Sequence, residues 1–312
     1  MNRVAVVGAG AWGTALALQA HRGGAAVSLW SRTAFAGESP HLPGFPIPAG
    51  VRLVSGFDED VDVTVLAVPV QHLRAVAGRL RPRSALVAVC KGVETGTGRL
   101  PLEVLAELHP GAALAVLSGP NFAHEVAAGL PTASVVACAD PALRGALLRL
   151  LGGGTFRLYG NDDVVGVQVG GAAKNVVAIA AGAVTGAGLG ENARAALITR
   201  GIAELARLAV RLGGRAETVS GLSGLGDLLL TCTGASSRNF RCGLGLGQGL
   251  GLNQVVREAG GVIEGIATAP ALVGRAAGLE LPVCEAVAGL LAGRVTLDEA
   301  IAALMARPMR DE

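Results

Sequence analysis

Aromatic side chains are scarce in this sequence, at 3% of 312 residues, and charged ones reach only 16%. The formal net charge is +2, and the basic residues are scattered with no aromatics between them. That balance excludes a nucleic-acid partner and an acidic membrane surface as the basis of function. The five cysteines, Cys90, Cys138, Cys232, Cys242 and Cys284, are odd in number and show no C-x-x-C spacing. A disulfide framework and a zinc site are therefore not expected. The five histidines contain no H-E-x-x-H, so no metal is implied.

What the chain has in quantity is glycine, at 47 positions, within a composition that is 51% hydrophobic. Such a profile raises the question of a membrane. The most apolar stretch, residues 164–184, carries Gln168, Lys174 and Asn175 near its middle. A central lysine costs roughly 2.5–3.5 kcal/mol on insertion, so a buried helix explains the stretch better and no stable membrane insertion is expected. The N-terminus has some features of a signal peptide, with Arg3, an apolar run and then Ala17-Leu18-Gln19-Ala20. Its glycines, however, stand where a phosphate-binding turn needs them, and a cytoplasmic location is expected.

The first half alternates short Val/Ala/Leu runs with amphipathic stretches, the rhythm of a parallel sheet with crossover helices. Strands are predicted at 3–7, 26–30, 61–67, 85–89, 113–117 and 133–137, and helices at 11–23, 71–80, 102–109 and 142–151. Residues 33–49, rich in Pro and Gly, read as irregular. Beyond about Asp162 the pattern becomes helical, with long segments at 193–212 and 267–277 and no convincing strand after Leu158. The glycine run 152–154 marks the turn near which the domains divide, giving a dinucleotide-binding domain at 1–160 and a helical substrate domain at 161–312. The fold class is α/β, a Rossmann-like doubly wound domain followed by an all-α domain. The run Gly243-Leu-Gly-Leu-Gly-Gln-Gly-Leu-Gly251 suits neither helix nor strand.

Gly8-Ala9-Gly10-Ala11-Trp12-Gly13 follows the first strand directly and opens a helix. In that context Gly8 allows the tight turn, Gly10 lets the backbone approach a pyrophosphate, and Gly13 lets helix and strand pack. The second strand ends at Trp30-Ser31-Arg32, where an Asp or Glu would select NAD. An arginine there accommodates a 2′-phosphate and favours NADPH over NADH, although a solvated loop arginine reads the same way.

Two polar motifs follow later strands, Cys90-Lys91-Gly92 and Ser118-Gly119-Pro120-Asn121. Lys91 suits a substrate phosphate oxygen or the nicotinamide end of a cofactor, Gly119 permits close approach, and Asn121 offers an amide. Lys174 lies in Gly170-Gly171-Ala172-Ala173-Lys174-Asn175, inside an apolar helix. Desolvation favours its neutral form, which suits a proton donor to an alkoxide formed by hydride transfer. Asp227, after a glycine-rich approach, is an N-cap or a carboxylate partner for Lys174. Ser237-Arg238-Asn239 supplies a fork and an amide able to grip a phosphate.

Together these motifs resemble bacterial NAD(P)-dependent glycerol-3-phosphate dehydrogenase. The match runs in order through Gly8–Gly13, Cys90-Lys91-Gly92, Ser118-Gly119-Pro120, Gly170–Asn175, Gly221–Gly234, Ser237-Arg238-Asn239 and Val262-Ile263-Glu264-Gly265. The resemblance implies that Lys174 exchanges the proton and that Lys91 touches both cofactor and substrate. It implies that Gly119, Asn121, Asp227, Ser237, Arg238 and Asn239 bind a phosphorylated triose. Ala11, Trp12, Arg32, Ala123, Arg238, Val262 and Glu264 would contact NAD(P)H. It further implies a homodimer and a role in phospholipid synthesis. The segment after Arg32 is shorter than in the family, and Asn121 stands where a hydroxyl residue is common. A related two-domain dehydrogenase for a hydroxy or sugar acid shares the first half, but Asp227 and Ser237-Arg238-Asn239 count against it. A catalytically silent nucleotide sensor would have little use for a buried Lys174.

Overall fold

In the computed structural model, residues 2–234 and 236–306 are described. The chain separates into two compact units, one of residues 1–91 and 99–168, the other of 92–98 and 169–312. The first unit contains β1 (Arg3–Val7), α1 (Ala11–Arg22), β2 (Ala26–Trp30), β3 (Val51–Val54), β4 (Val63–Leu66), α2 (Val70–Ala77) and β5 (Ala85–Ala88). It continues with α3 (Pro101–Leu108), β6 (Leu114–Ser118), α4 (Ala123–Ala127), β7 (Thr132–Ala137), α5 (Pro141–Leu151) and β8 (Phe156–Asn161). The eight strands form one sheet in the order β3-β2-β1-β4-β5-β6-β7-β8. All neighbours run parallel except β6 and β7.

Strands β4 and β5 are buried along their whole length, which is why they read as unbroken apolar runs. The edge strands differ. β3 and β8 are half exposed, carry Arg52 and Arg157, and lack the apolar continuity that marks the inner strands. Neither stood out in the sequence, and β8 extends three residues past Leu158. Between β2 and β3 no helix forms. The segment folds as a strap in which Leu42 is buried, Phe35, Phe45 and Ile47 pack on the core, and Glu38 bridges Pro46.

Helix α6 (Val164–Gly186) carries the chain across the division between the units, which falls between Gln168 and Val169. The domain boundary is thus inside a continuous helix, later than the glycine turn at 152–154 suggested. It is long and apolar enough to cross a membrane, and 83% of its apolar window is buried inside the protein. After it come α7 (Gly190–Arg211), α8 (Ala216–Val219), α9 (Asp227–Thr233), α10 (Arg238–Gly247), α11 (Leu252–Glu258), α12 (Glu264–Arg275), α13 (Pro282–Leu291) and α14 (Leu297–Met305). On α7 the buried Glu204 accepts from the Val283 and Cys284 N–H groups at 2.7 and 3.2 Å, capping α13. Burial pushes that carboxyl above its usual range, against the lowering effect of the two N–H donors.

The glycine run that suited no element lies largely in α10, and its reason is α6. A Cβ at Gly243 would meet the Ile179 carbonyl oxygen at 1.8 Å, and one at Gly247 that of Ala183 at 2.2 Å. Reciprocally, Cβ atoms at Gly182 and Gly186 would lie 2.0 and 2.2 Å from the carbonyl oxygens of Phe240 and Leu244. The two helices touch backbone to backbone, each with glycines four residues apart on one face.

In an ordinary helix, Gly→Ala stabilises by about 1 kcal/mol. Here Gly182→Ala is expected to destabilise by about 2 kcal/mol, because the pair must move apart. Gly274→Ala, whose Cβ meets nothing within 4 Å, is expected to stabilise slightly. Urea titration of both variants reads the two opposite signs.

Candidate active site

The sheet order reverses between β1 and β4, and the first glycine turn sits there. Gly8 has φ +117°, and a Cβ on it would come within 2.6 Å of the Ala67 carbonyl oxygen just beyond β4. At Gly13 a Cβ would sit 1.9 Å from the Gly8 carbonyl oxygen. Packing therefore demands both glycines. Gly10 is different, because a Cβ there would meet nothing within 4 Å. No neighbour in the protein requires a glycine at that position; its missing side chain leaves room for a ligand. Among the described residues the N–H groups of Gly10, Ala11, Trp12 and Gly13 meet no backbone acceptor. They open α1 toward that space, an arrangement suited to a pyrophosphate. The half-buried Trp12 also holds a buried indole N–H without a partner. The turn fits a dinucleotide. Arg32 is exposed just past β2.

Further along the same unit, Lys91 follows β5 half buried, and its ammonium donates to the Gly119 carbonyl at 2.9 Å. Gly119 has φ +152°, and a Cβ there would lie 2.9 Å from Cα of Ser134 on β7. The close approach at this glycine is that of a neighbouring strand. Asn121 does not cap α4, whose N-cap is Phe122. Its Oδ1 accepts from the Ser134 hydroxyl at 2.5 Å, while its buried amide N–H₂ has no partner. Ala123 opens α4.

The second unit centres on Lys174. It is 8% exposed, and its ammonium forms an ion pair with Asp227, itself fully buried. It also donates to the Thr231 hydroxyl at 2.9 Å. That hydroxyl in turn donates to the Asp227 carbonyl at 2.6 Å, one helical turn back. Sequence reasoning missed Thr231, although its i,i+4 spacing from Asp227 was the available signal. Asp227 reaches Lys174 because of two features. A π-helical turn at Leu222–Gly226 leads into α9, and Gly170 lets it close on α6, since a Cβ there would lie 2.7 Å from the Ser223 carbonyl oxygen. Gly170 and Lys174 share one face of α6.

The triplet after α9 divides its duties. Ser237 is the N-cap of α10, its hydroxyl accepting from Phe240 N–H at 3.2 Å. Arg238 is exposed, with its guanidinium lying over Gly261. Asn239 is buried with both ends engaged: Oδ1 takes the Gly265 N–H and the amide donates to Asn175, each at 2.9 Å. Asn175 donates onward to the Glu264 carboxylate at 3.4 Å. Asn239 therefore ties α6, α10 and the start of α12 together. Val262 is 46% exposed beside them. The structure thus gathers Lys174, Asp227, Ser237, Arg238, Asn239 and Glu264 in one unit, and the glycine turn, Arg32, Lys91, Gly119, Asn121 and Ala123 in the other.

A doubly wound sheet with an open N–H turn, followed by a helical unit holding a buried Lys174–Asp227 pair, fits an NAD(P)-dependent oxidoreductase acting on a CH–OH group. The family models for the NAD-dependent glycerol-3-phosphate dehydrogenase N-terminus and C-terminus match residues 3–144 and 163–302. A glycerol-3-phosphate dehydrogenase (NAD(P)+) of Acidiphilium cryptum is 54% identical over 99% of this chain and 98% of its own. The enzyme of that name from a Bradyrhizobium species is 52% identical, again over 99% and 98%. The crystal structure of glycerol-3-phosphate dehydrogenase from Coxiella burnetii superposes with a TM-score of 0.93 at 37% identity, covering 98% of this chain and 99% of that one. The chain belongs to the NAD-dependent glycerol-3-phosphate dehydrogenase family.

All five cysteines are buried. Desolvation pushes the Cys232 thiol up to about 12, although the Lys174 charge pulls it back, and burial raises Cys242 to about 11. A thiol-reactive dye at pH 8 is expected to leave the folded protein unlabelled and to label it fully in denaturant. Rapid labelling of Cys232 in the native protein would contradict the packing around Lys174.

Proposed function

We propose that this chain reduces dihydroxyacetone phosphate to sn-glycerol 3-phosphate with NAD(P)H, with Lys174 as the proton donor. The observation that carries the reading is the buried Lys174–Asp227 pair, closed by Thr231. A charged lysine this deep is sustained only by its partners, and an ammonium held in this way suits proton donation to a developing alkoxide. A reduced nicotinamide cofactor, held by the glycine turn at Gly8–Gly13, would supply the hydride for the carbonyl carbon. Lys174 gives its proton to the carbonyl oxygen and is left neutral, with Asp227 and Thr231 keeping its nitrogen in place until solvent returns the proton. In the reverse direction the same nitrogen accepts the hydroxyl proton.

The remaining residues bind and orient. Lys91, Gly119 and Asn121 bind the triose phosphate, and the Asn121 amide, unpaired among the described residues, supports that role. Asp227, Ser237, Arg238 and Asn239 are also substrate-binding residues, and the exposed Arg238 guanidinium is the group suited to the phosphate. Gly8, Gly10, Ala11, Trp12 and Gly13 take the pyrophosphate side of the cofactor, with Arg32 at the adenosine ribose. Lys91, Ala123, Arg238, Val262 and Glu264 complete the cofactor contacts. Arg32, without an acidic residue at the end of β2, favours NADPH. The working form is a cytoplasmic homodimer that feeds glycerol 3-phosphate to phospholipid synthesis.

The loss of reduced-nicotinamide absorbance with dihydroxyacetone phosphate tests the reaction, and the NADPH to NADH rate ratio tests Arg32. Lys174→Met keeps the length of the side chain without the proton. It is expected to bind cofactor normally and to lose about a hundred- to ten-thousandfold in kcat. Full turnover by that variant would overturn the mechanism.

A further inference from the structure

The strap between β2 and β3 does more than cover the core. Ser39, at its centre, is fully buried. Its hydroxyl accepts the His41 N–H at 3.3 Å, so its own proton is free to point elsewhere. It points at the Ala9 carbonyl, 2.8 Å away, inside the glycine turn. The Thr14 hydroxyl reaches the same oxygen from α1 at 3.3 Å. A trans peptide is planar, so the C=O of one residue and the N–H of the next point in opposite directions. Fixing the Ala9 carbonyl therefore fixes the Gly10 N–H, the first of the donors that open into the space beside Gly10. Glycines on both sides of Ala9 would otherwise leave that peptide free to rotate.

We infer that Ser39 is a positioning residue for dinucleotide binding, holding the Ala9–Gly10 peptide so that the Gly10 N–H faces the cofactor pyrophosphate. The inference rests on the proposed dinucleotide role of this turn and adds a residue from outside the glycine motif. The strap is irregular, yet Leu42, Phe35, Phe45 and Ile47 anchor it to the core on either side of Ser39. Its short course thus delivers one hydroxyl to one carbonyl.

The test is Ser39→Ala, with binding read by calorimetry. Two ligands are compared, ADP-ribose, which contains the pyrophosphate, and AMP, which does not. Expected is a loss of about three- to tenfold in ADP-ribose affinity, the size of one net hydrogen bond, with AMP affinity unchanged. KM for NADPH should rise by a similar factor while kcat at saturation and KM for dihydroxyacetone phosphate stay put. Ser39→Ala that binds ADP-ribose as the wild type does, or that weakens both ligands equally, overturns the inference. A wild-type protein that binds neither ligand fails differently, since the dinucleotide reading itself then falls.

Discussion

Burying one ammonium in an apolar helix is the constraint on which the second unit depends. Lys174 cannot stay charged there without a carboxylate at contact distance, and Asp227 stands 53 positions away in sequence. Bringing them together requires Gly170 one turn earlier on α6, the π-helical turn before α9, and Thr231 one turn after Asp227. Each of these features looks minor alone. Together they hold in place a charge that burial alone would make expensive.

The same helix meets α10 through a different physical device. Here the contact is between backbones, made possible by absent side chains at Gly182, Gly186, Gly243 and Gly247. Close approach of this kind leaves little room for sliding. It fixes the register of α10 against α6, and Asn239 at the start of α10 then lands on Asn175, next to Lys174. The polar tie and the glycine contact are two parts of one alignment.

Much of this was legible in the sequence where the cause is local. The inner strands announced themselves by unbroken apolar runs, the turn between β1 and α1 by its glycines, and the burial of Lys174 by its apolar neighbours. What could not be read has its cause elsewhere in the chain. The glycine run at 243–251 made no sense until α6 lay beside it. Edge strands β3 and β8 carry mixed sequences because one side of each faces solvent. At Gly119 part of the demand for glycine comes from Ser134 on a neighbouring strand, which the motif alone did not show. The hydrogen bonds of Asn239 to Gly265 and Asn175 join residues far apart in the chain, which its triplet alone did not show. Ser39, in a stretch dismissed as irregular, carries the hydroxyl that holds the Ala9 carbonyl.

The division of the chain has a consequence for its birth on the ribosome. Residues 92–98 group with the helical unit, yet they are synthesised between β5 and α3 of the sheet. While the first unit is being completed, this segment must wait as an unfinished loop immediately after Lys91, until residues beyond 169 have emerged. The two units therefore cannot mature in strict succession, because the helical unit takes in residues 92–98 from the first third of the chain.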